Sequence, residues 1–330
     1  MILEQSELIR LFHGAVDYVE ENGELFPRRF TKAQLEVASH NMSDLIRAYA
    51  SCGMVIAFET DATKLDFDYR VDRGSSQDLY CFDIWINGLL CLHHSGAITR
   101  EPVGTVKMEL PVGVNKVEIY LPHLAKTVIG KFELPGAKIV KPITKEKHLL
   151  CLGDSITQGY IAQYSSGTYT AILGRAMNAD ILNQGIGGER FHVEMLDPAF
   201  PWKPTHVLIS YGTNDWSDRD RDSFILSARK YIDLACDIWK DTPFVLITPI
   251  WRGDALTLQN RPQKDFSFAE ARNILEQIGA DHPNIHVVKG EELFPPLTEL
   301  TADGYVHPND LGFTHYAMNL FGRLPIDWVK

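Results

Sequence analysis

The chain has 330 residues, 45% of them hydrophobic and 23% charged, and a net charge of −11. This composition excludes disordered, collagen-like and coiled-coil proteins, and the length suits about two domains of ~150 residues. The acidic balance, with no dense Lys/Arg run, argues against a nucleic-acid backbone or an anionic membrane surface as partner.

Residues 1–143 read as β structure. Val55-Ile-Ala-Phe-Glu-Thr, Leu65-Asp-Phe-Asp-Tyr-Arg-Val, Leu79-Tyr-Cys-Phe-Asp-Ile-Trp-Ile, Val106-Lys-Met-Glu-Leu and Lys116-Val-Glu-Ile-Tyr-Leu are short and rich in branched and aromatic residues. Most alternate apolar with polar, as half-buried strands do. Asn87-Gly88 between two apolar runs is the strongest hairpin signal. Many short strands with no long helix predict an all-β, jelly-roll-like sandwich.

The polar segment Lys141-Pro-Ile-Thr-Lys-Glu-Lys reads as a linker into a second unit, 147–330. There, apolar strands beginning at His148, Asp180, His206, Phe244 and Ile285 alternate with helical segments near 167–177, 222–240, 265–280 and 309–322. Phe224, Ile225, Ala228, Tyr231, Ile232, Ala235 and Trp239 share one helical face. Strand–helix alternation with continuous apolar strands predicts an α/β fold, a parallel sheet covered on both faces, with its ligand site beyond the carboxyl ends of the strands.

No run approaches the ~18 apolar residues of a membrane span. The first residues, Met1-Ile-Leu-Glu-Gln-Ser-Glu-Leu, carry acids where a secretory leader carries bases, so the expected location is cytoplasmic. Cys52, Cys81, Cys91, Cys151 and Cys236 are scattered without metal or redox spacing and read as packed, reduced thiols. No metal site is expected: His93 and His94 are adjacent, so on a strand they face opposite ways. His206, at the start of a buried strand, reads as structural.

The residues with chemistry follow the strands. Gly153-Asp154-Ser155-Ile156-Thr157 places Ser155 between strand and helix, where a hydroxyl can enter a cleft beside backbone N–H donors. Thr157 rules out the G-x-S-x-G elbow. Taken alone, the tripeptide equally suits a serine that caps a helix. Gly185-Ile-Gly187-Gly188-Glu-Arg190 has Arg where a dinucleotide loop needs its third Gly, which leaves a tight turn with an exposed N–H. In Gly212-Thr-Asn214-Asp215 a neutral amide can donate to a developing oxyanion, or Asn214 can serve an Asx turn. His307, in Asp303-Gly-Tyr-Val-His307-Pro308, supplies an imidazole, the side chain most often used to accept and return a proton in catalysis.

These blocks, in the order Ser, Gly, Asn, His, resemble the SGNH (GDSL) hydrolase family over roughly 147–325. The resemblance implies a flavodoxin-like three-layer α/β/α domain, with Ser155 as nucleophile, His307 as general base, and an oxyanion hole formed by the Ser155 N–H, the Gly188 N–H and the Asn214 side chain. The family spaces its last acid and base D-x-x-H, whereas here Asp303 and His307 are four apart. Either Asp303 orients the imidazole or a backbone carbonyl does so, leaving a dyad; Asp310 is the weaker acid candidate. Upstream, Gln77-Asp78-Leu79-Tyr80 is similar to a G-x-D-L-Y signature found before GDSL-type hydrolases, with Ser76 in place of its Gly. A sandwich before such a domain resembles some carbohydrate acetylesterases. Trp251 and Arg252, after the strand at Phe244, are expected at the cleft edge as substrate contacts or as packing between the two units.

The expectation is therefore a serine esterase, needing no cofactor, that removes short acyl groups, most simply acetyl, from a carbohydrate-like alcohol. Its partner is a small-molecule or oligosaccharide ester, and a homo-oligomer stays open. A lipid or thioester acylhydrolase is the alternative on the same machinery. A sugar-binding sandwich fused to an inactive scaffold is the alternative from another class.

Overall fold

The computed structural model describes residues 1–261 and 264–329. Two antiparallel sheets are drawn from residues up to Pro142, and one parallel sheet from Lys147 onward. The first antiparallel sheet runs Asp17–Glu21, Glu24–Arg28, Ala125–Glu133, Lys64–Arg73, Val103–Glu109. The second runs Val140–Pro142, Val55–Thr60, Asn115–Tyr120, Tyr80–Ile86, Leu89–Gly96. Their inner faces share one core: Phe67 stacks on Phe132 at 5.6 Å and meets Phe82, from the other sheet, edge-on at 5.5 Å. Burying each such ring stabilises the fold by roughly 1.5–3 kcal/mol. Asn87 and Gly88 both adopt positive φ (52° and 84°), and the strands they join pair as Ile86 with Leu89. This is the primed turn that matches strand twist.

The N-terminal half departs from the pure-β expectation. Short helices Gln5–Ile9, Lys32–Ala38 and Met42–Ala48 interrupt it. Phe30, Leu35, Ala38 and Ala48 pack with Ile186 and Met195 of the second half. The segment read as a linker also begins inside the sheet, since Val140–Pro142 pairs with Phe58–Thr60.

The parallel sheet has the order Ala179–Gly185, Lys147–Gly153, His206–Ser210, Phe244–Ile247, Ile285–Val288. In chain order this is 2-1-3-4-5, the doubly wound arrangement. Alternate strand residues part to opposite faces. Leu150, Leu152, Val207 and Ile209 pack with Phe224, Ala228 and Ile232 of helix Arg221–Ile238 and with Ile274 and Leu275 of helix Phe268–Ala280. Leu149, Cys151 and Leu208 face Leu173 and Phe313, where helices Tyr169–Met177 and Asp310–Phe321 meet through stacked Tyr169 and Tyr316. None of the described helices is long and apolar enough to cross a membrane.

Candidate active site

Three neighbouring strands of the parallel sheet deliver the first three blocks to one end. Gly153 pairs with Gly185 on one side and with Ser210 on the other. Asp154 caps the helix Ser155–Gln158 by accepting the Ile156 N–H, which leaves Ser155 as its first residue. The Ile186 N–H donates to Gly153 O and the Gly187 N–H to the Gln158 side chain, so the glycine loop lies against the serine turn. Gly188 has φ +84°, a conformation an L side chain rarely adopts. Among the described residues the Ser155 and Gly188 N–H groups donate no hydrogen bond within the protein. Asn214, in the first turn of helix Thr213–Asp218, spends one amide hydrogen on Glu189 O at 3.0 Å and retains the other.

His307 arrives on a small hairpin. Thr301 bridges Pro308, the Ala302 N–H donates to His307 O, and Gly304 turns the chain with φ +85°. This turn accommodates the extra residue in Asp-x-x-x-His. Asp303 Oδ1 accepts the N–H groups of Tyr305, Val306 and His307 at 3.0, 2.9 and 3.1 Å. Its Oδ2 lies 2.6 Å from His307 Nδ1, and His307 Nε2 lies 2.9 Å from Ser155 Oγ. Burial alone would raise the Asp303 carboxyl, but the bonds from His307 and the backbone N–H groups outweigh it and hold the group well below the usual carboxylate range. An ionised Asp303 requires Nδ1 to carry the proton, so Nε2 is free to accept the serine hydroxyl. Asp310 is used elsewhere, accepting the Gln163 and Tyr164 N–H groups.

Two carboxyls sit behind these loops. Burial pushes Asp154 up to about 7, against the opposing Ile156 N–H bond and the His307 charge. Burial likewise pushes Asp215 up to about 6, and its Oδ2 has no partner among the described residues.

Arg252 departs from the expected substrate contact. It is buried, its Nε and Nη2 donate to Asp254, and its Nη1 donates to Thr213 and Ser217. It therefore braces the turn that carries Asn214. Trp251 is half-buried and stacked on Phe294 at 6.5 Å. The next residue but one, Gly253, donates to Tyr305 O and so backs the histidine hairpin.

Several residues around the site had no sequence signal. Arg29 is fully buried, without a carboxylate partner among the described residues, and it donates to Ala50 O, Arg47 O, Asn183 O and Gly185 O. It thereby ties the N-terminal segment to the glycine loop. Gln158 Nε2 donates to Gly74 O of the sandwich. Tyr160 lies edge-to-face with His307, ring centroids 4.7 Å apart. The one group of potential metal ligands among the described residues is Cys81, Asp83 and His93. Asp83 bonds His93 at 2.7 Å and Ser166 N–H at 2.7 Å, while Cys81 lies 3.2 Å from Ser165 and burial pushes its thiol up to about 12. These atoms satisfy one another and join the sandwich to the loop at 163–167.

Residues 151–314 match the GDSL-like lipase/acylhydrolase family. No curated protein sequence matches the chain. Among solved structures, the salicylyl-acyltransferase SsfX3 from a tetracycline biosynthetic pathway is similar over 94% of this chain and 93% of its own, at 22% identity and TM-score 0.80. A family two carbohydrate esterase from Clostridium thermocellum, in complex with cellohexaose, is similar over 83% of this chain and 92% of its own, at 16% identity and TM-score 0.60. The acetyl xylan esterase Est2A from the rumen bacterium Butyrivibrio proteoclasticus is similar over 96% of this chain and 100% of its own, at 12% identity and TM-score 0.60. At these identities the likeness is one of fold, a β-sandwich followed by the α/β core. Through residues 151–314 the chain belongs to the GDSL-like lipase/acylhydrolase family and is an SGNH-type ester hydrolase.

Proposed function

We propose that the protein is a serine esterase that removes short acyl groups, acetyl first among them, from a carbohydrate-like alcohol. The observation that carries this reading is the hydrogen-bonded chain from Ser155 Oγ through His307 to Asp303, at 2.9 and 2.6 Å. Ser155 Oγ attacks the ester carbonyl while His307 Nε2 takes its proton. The Ser155 and Gly188 N–H groups and the free Asn214 amide hydrogen receive the developing oxyanion. The intermediate collapses, the alcohol leaves with the proton from His307, and water, deprotonated by His307, releases the acid. None of these steps calls on a cofactor. The fold likeness to a cellohexaose-bound esterase and an acetyl xylan esterase supports a sugar alcohol as the leaving group. The unpaired state of Cys52, Cys81, Cys91, Cys151 and Cys236 supports a cytoplasmic setting. In this reading 1–143 and 147–330 work as one unit rather than as binding module and enzyme.

Ser155→Ala is expected to abolish hydrolysis of 4-nitrophenyl acetate, and wild-type turnover by that variant would end the proposal. A screen of acetylated sugars, with acetate release measured, tests the substrate class. A second reading is that an alcohol rather than water captures the acyl-enzyme, favoured by the likeness to an acyltransferase over 94% of the chain. The partition of acetyl between water and added sugar alcohols separates the two.

A further inference from the structure

We propose that Tyr160 is a positioning residue for the His307 imidazole and that the sandwich turn at Ser76–Gln77 holds it in place. This inference rests on the Ser155–His307 reading and adds a part to it. Both imidazole nitrogens are already committed, to Ser155 and to Asp303. Those bonds fix the ring's two ends and leave it free to rock about the line between them. The Tyr160 ring, 4.7 Å away and inclined at 67°, blocks that motion on one side.

Tyr160 is itself held from the other half of the molecule. Its hydroxyl lies 2.8 Å from Ser76 Oγ and accepts a hydrogen bond from Gln77 Nε2 at 3.0 Å. Its N–H donates to Ser155 O, which ties it to the nucleophile's own turn. It stands between Gly159, with φ +92°, and Ile161, with φ +71°. A β-branched residue keeps that conformation only where its surroundings enforce it. The surroundings do so at both ends of the loop: beyond Ile161, the Gln163 and Tyr164 N–H groups donate to Asp310, three residues past His307. The loop 159–164 is thus clamped between the sandwich and the element that carries the base, and the single aromatic ring it presents to the site faces the imidazole.

Three variants of the full chain separate positioning from general packing. Tyr160→Phe keeps the ring and loses its anchor. Ser76→Ala/Gln77→Ala keeps the phenol and loses its holders. Tyr160→Ala removes the ring. The readouts are kcat and KM on 4-nitrophenyl acetate, the rate of Ser155 labelling by a fluorophosphonate, and the downfield proton resonance of His307 Nδ1–H. The first two variants are expected to lower kcat and the labelling rate by about threefold to tenfold with KM nearly unchanged, and their combination to cost no more than either alone. Tyr160→Ala is expected to lower both by up to about 100-fold and to broaden the imidazole resonance. Wild-type kcat, labelling and resonance in both Tyr160→Phe and Ser76→Ala/Gln77→Ala would overturn the proposal, as would a rise in KM alone. If the wild-type protein neither labels nor hydrolyses esters, the esterase reading fails. The resonance in Tyr160→Phe and Tyr160→Ala then still decides whether the tyrosine holds the imidazole.

Discussion

In the parallel sheet, the strands ending at Gly153, Gly185 and Ser210 release into turns whose N–H donors are left available: among the described residues the Ser155 and Gly188 N–H groups are unspent and Asn214 is half spent. The turns of the sandwich that approach the same place end in contacts already made: Gly74 to Gln158, Ser76 and Gln77 to Tyr160. The N-terminal segment adds Arg29, whose donors are consumed by backbone carbonyls. One region keeps hydrogen-bonding capacity in reserve and the other uses its capacity to hold the first. Unsatisfied polar groups next to solvent are available for a substrate, whereas satisfied ones rigidify. The same contrast sets what substitutions in each region should do.

The largest effect is expected inside the reserve. Asp303→Asn keeps an oxygen for the backbone N–H groups but turns the preferred imidazole tautomer against the serine. It is expected to lower kcat by about 10³–10⁴-fold with little change in Tm. A kcat near wild type would return the site to a serine–histidine dyad. In the holding region the readout changes from rate to stability. Arg29→Met strands four backbone carbonyls in the interior. A loss of roughly 3–5 kcal/mol in urea unfolding is expected, with kcat falling only as the glycine loop loosens. A cost below about 1 kcal/mol would mean that the two halves do not depend on this joint.

The sequence exposed these two regions unequally, and for the same reason. The strand–helix alternation of 147–330 is dense in periodic signal, and helix Arg221–Ile238 buries Phe224, Ala228, Tyr231, Ile232 and Ala235 as its apolar face requires. The blocks at Ser155, Gly188, Asn214 and His307 were legible because each couples a residue type to a strand end or a helix start. The N-terminal half was legible only where alternation was clean. Strand Ala125–Glu133 sits inside its sheet but carries Gly130 and a register shift between Ile129 and Phe132, which break the period-two pattern. Strand Glu24–Arg28 contains Pro27. Arg29 and Tyr160 left no trace because their roles depend on partners 154 and 147 residues away. Arg252 was placed at the right strand end, but its environment, Asp254 and the Thr213 turn, is a tertiary fact. The Asp-x-x-x-His spacing looked irregular because linear spacing does not reveal a hairpin turned at Gly304.

A smaller effect on rate is expected from Asn214, which in the proposed mechanism supplies one donor among three. Asn214→Ala is expected to cost about 3 kcal/mol of transition-state stabilisation, read as a fall in kcat of ~100-fold with KM nearly constant. An unchanged kcat would mean that the amide serves only Glu189 O.

The smallest effect lies where the two regions' logic meets, in a satisfied group that is nonetheless costly to ionise. Asp154 caps the helix that begins at Ser155, and burial lifts it from its ordinary value of 3.8 to about 7. Between those values the unfolded chain has released this proton and the folded chain still holds it. The folded state therefore binds more protons, and stability falls as pH rises through the window. The contribution is fully present below about 4 and is gone above about 7. Asp215, lifted to about 6, adds a slope of the same sign. Asp154→Asn retains an oxygen for the Ile156 N–H but cannot titrate. The wild-type Tm, relative to this variant, should drop by a few degrees from pH 4 to pH 7 and stay level above pH 8. A Tm difference that is flat across the whole range would mean that Asp154 is ionised throughout, with the His307 charge and the Ile156 N–H outweighing burial. The cap would then belong with the fully satisfied groups of the holding region rather than at its boundary with the reactive one.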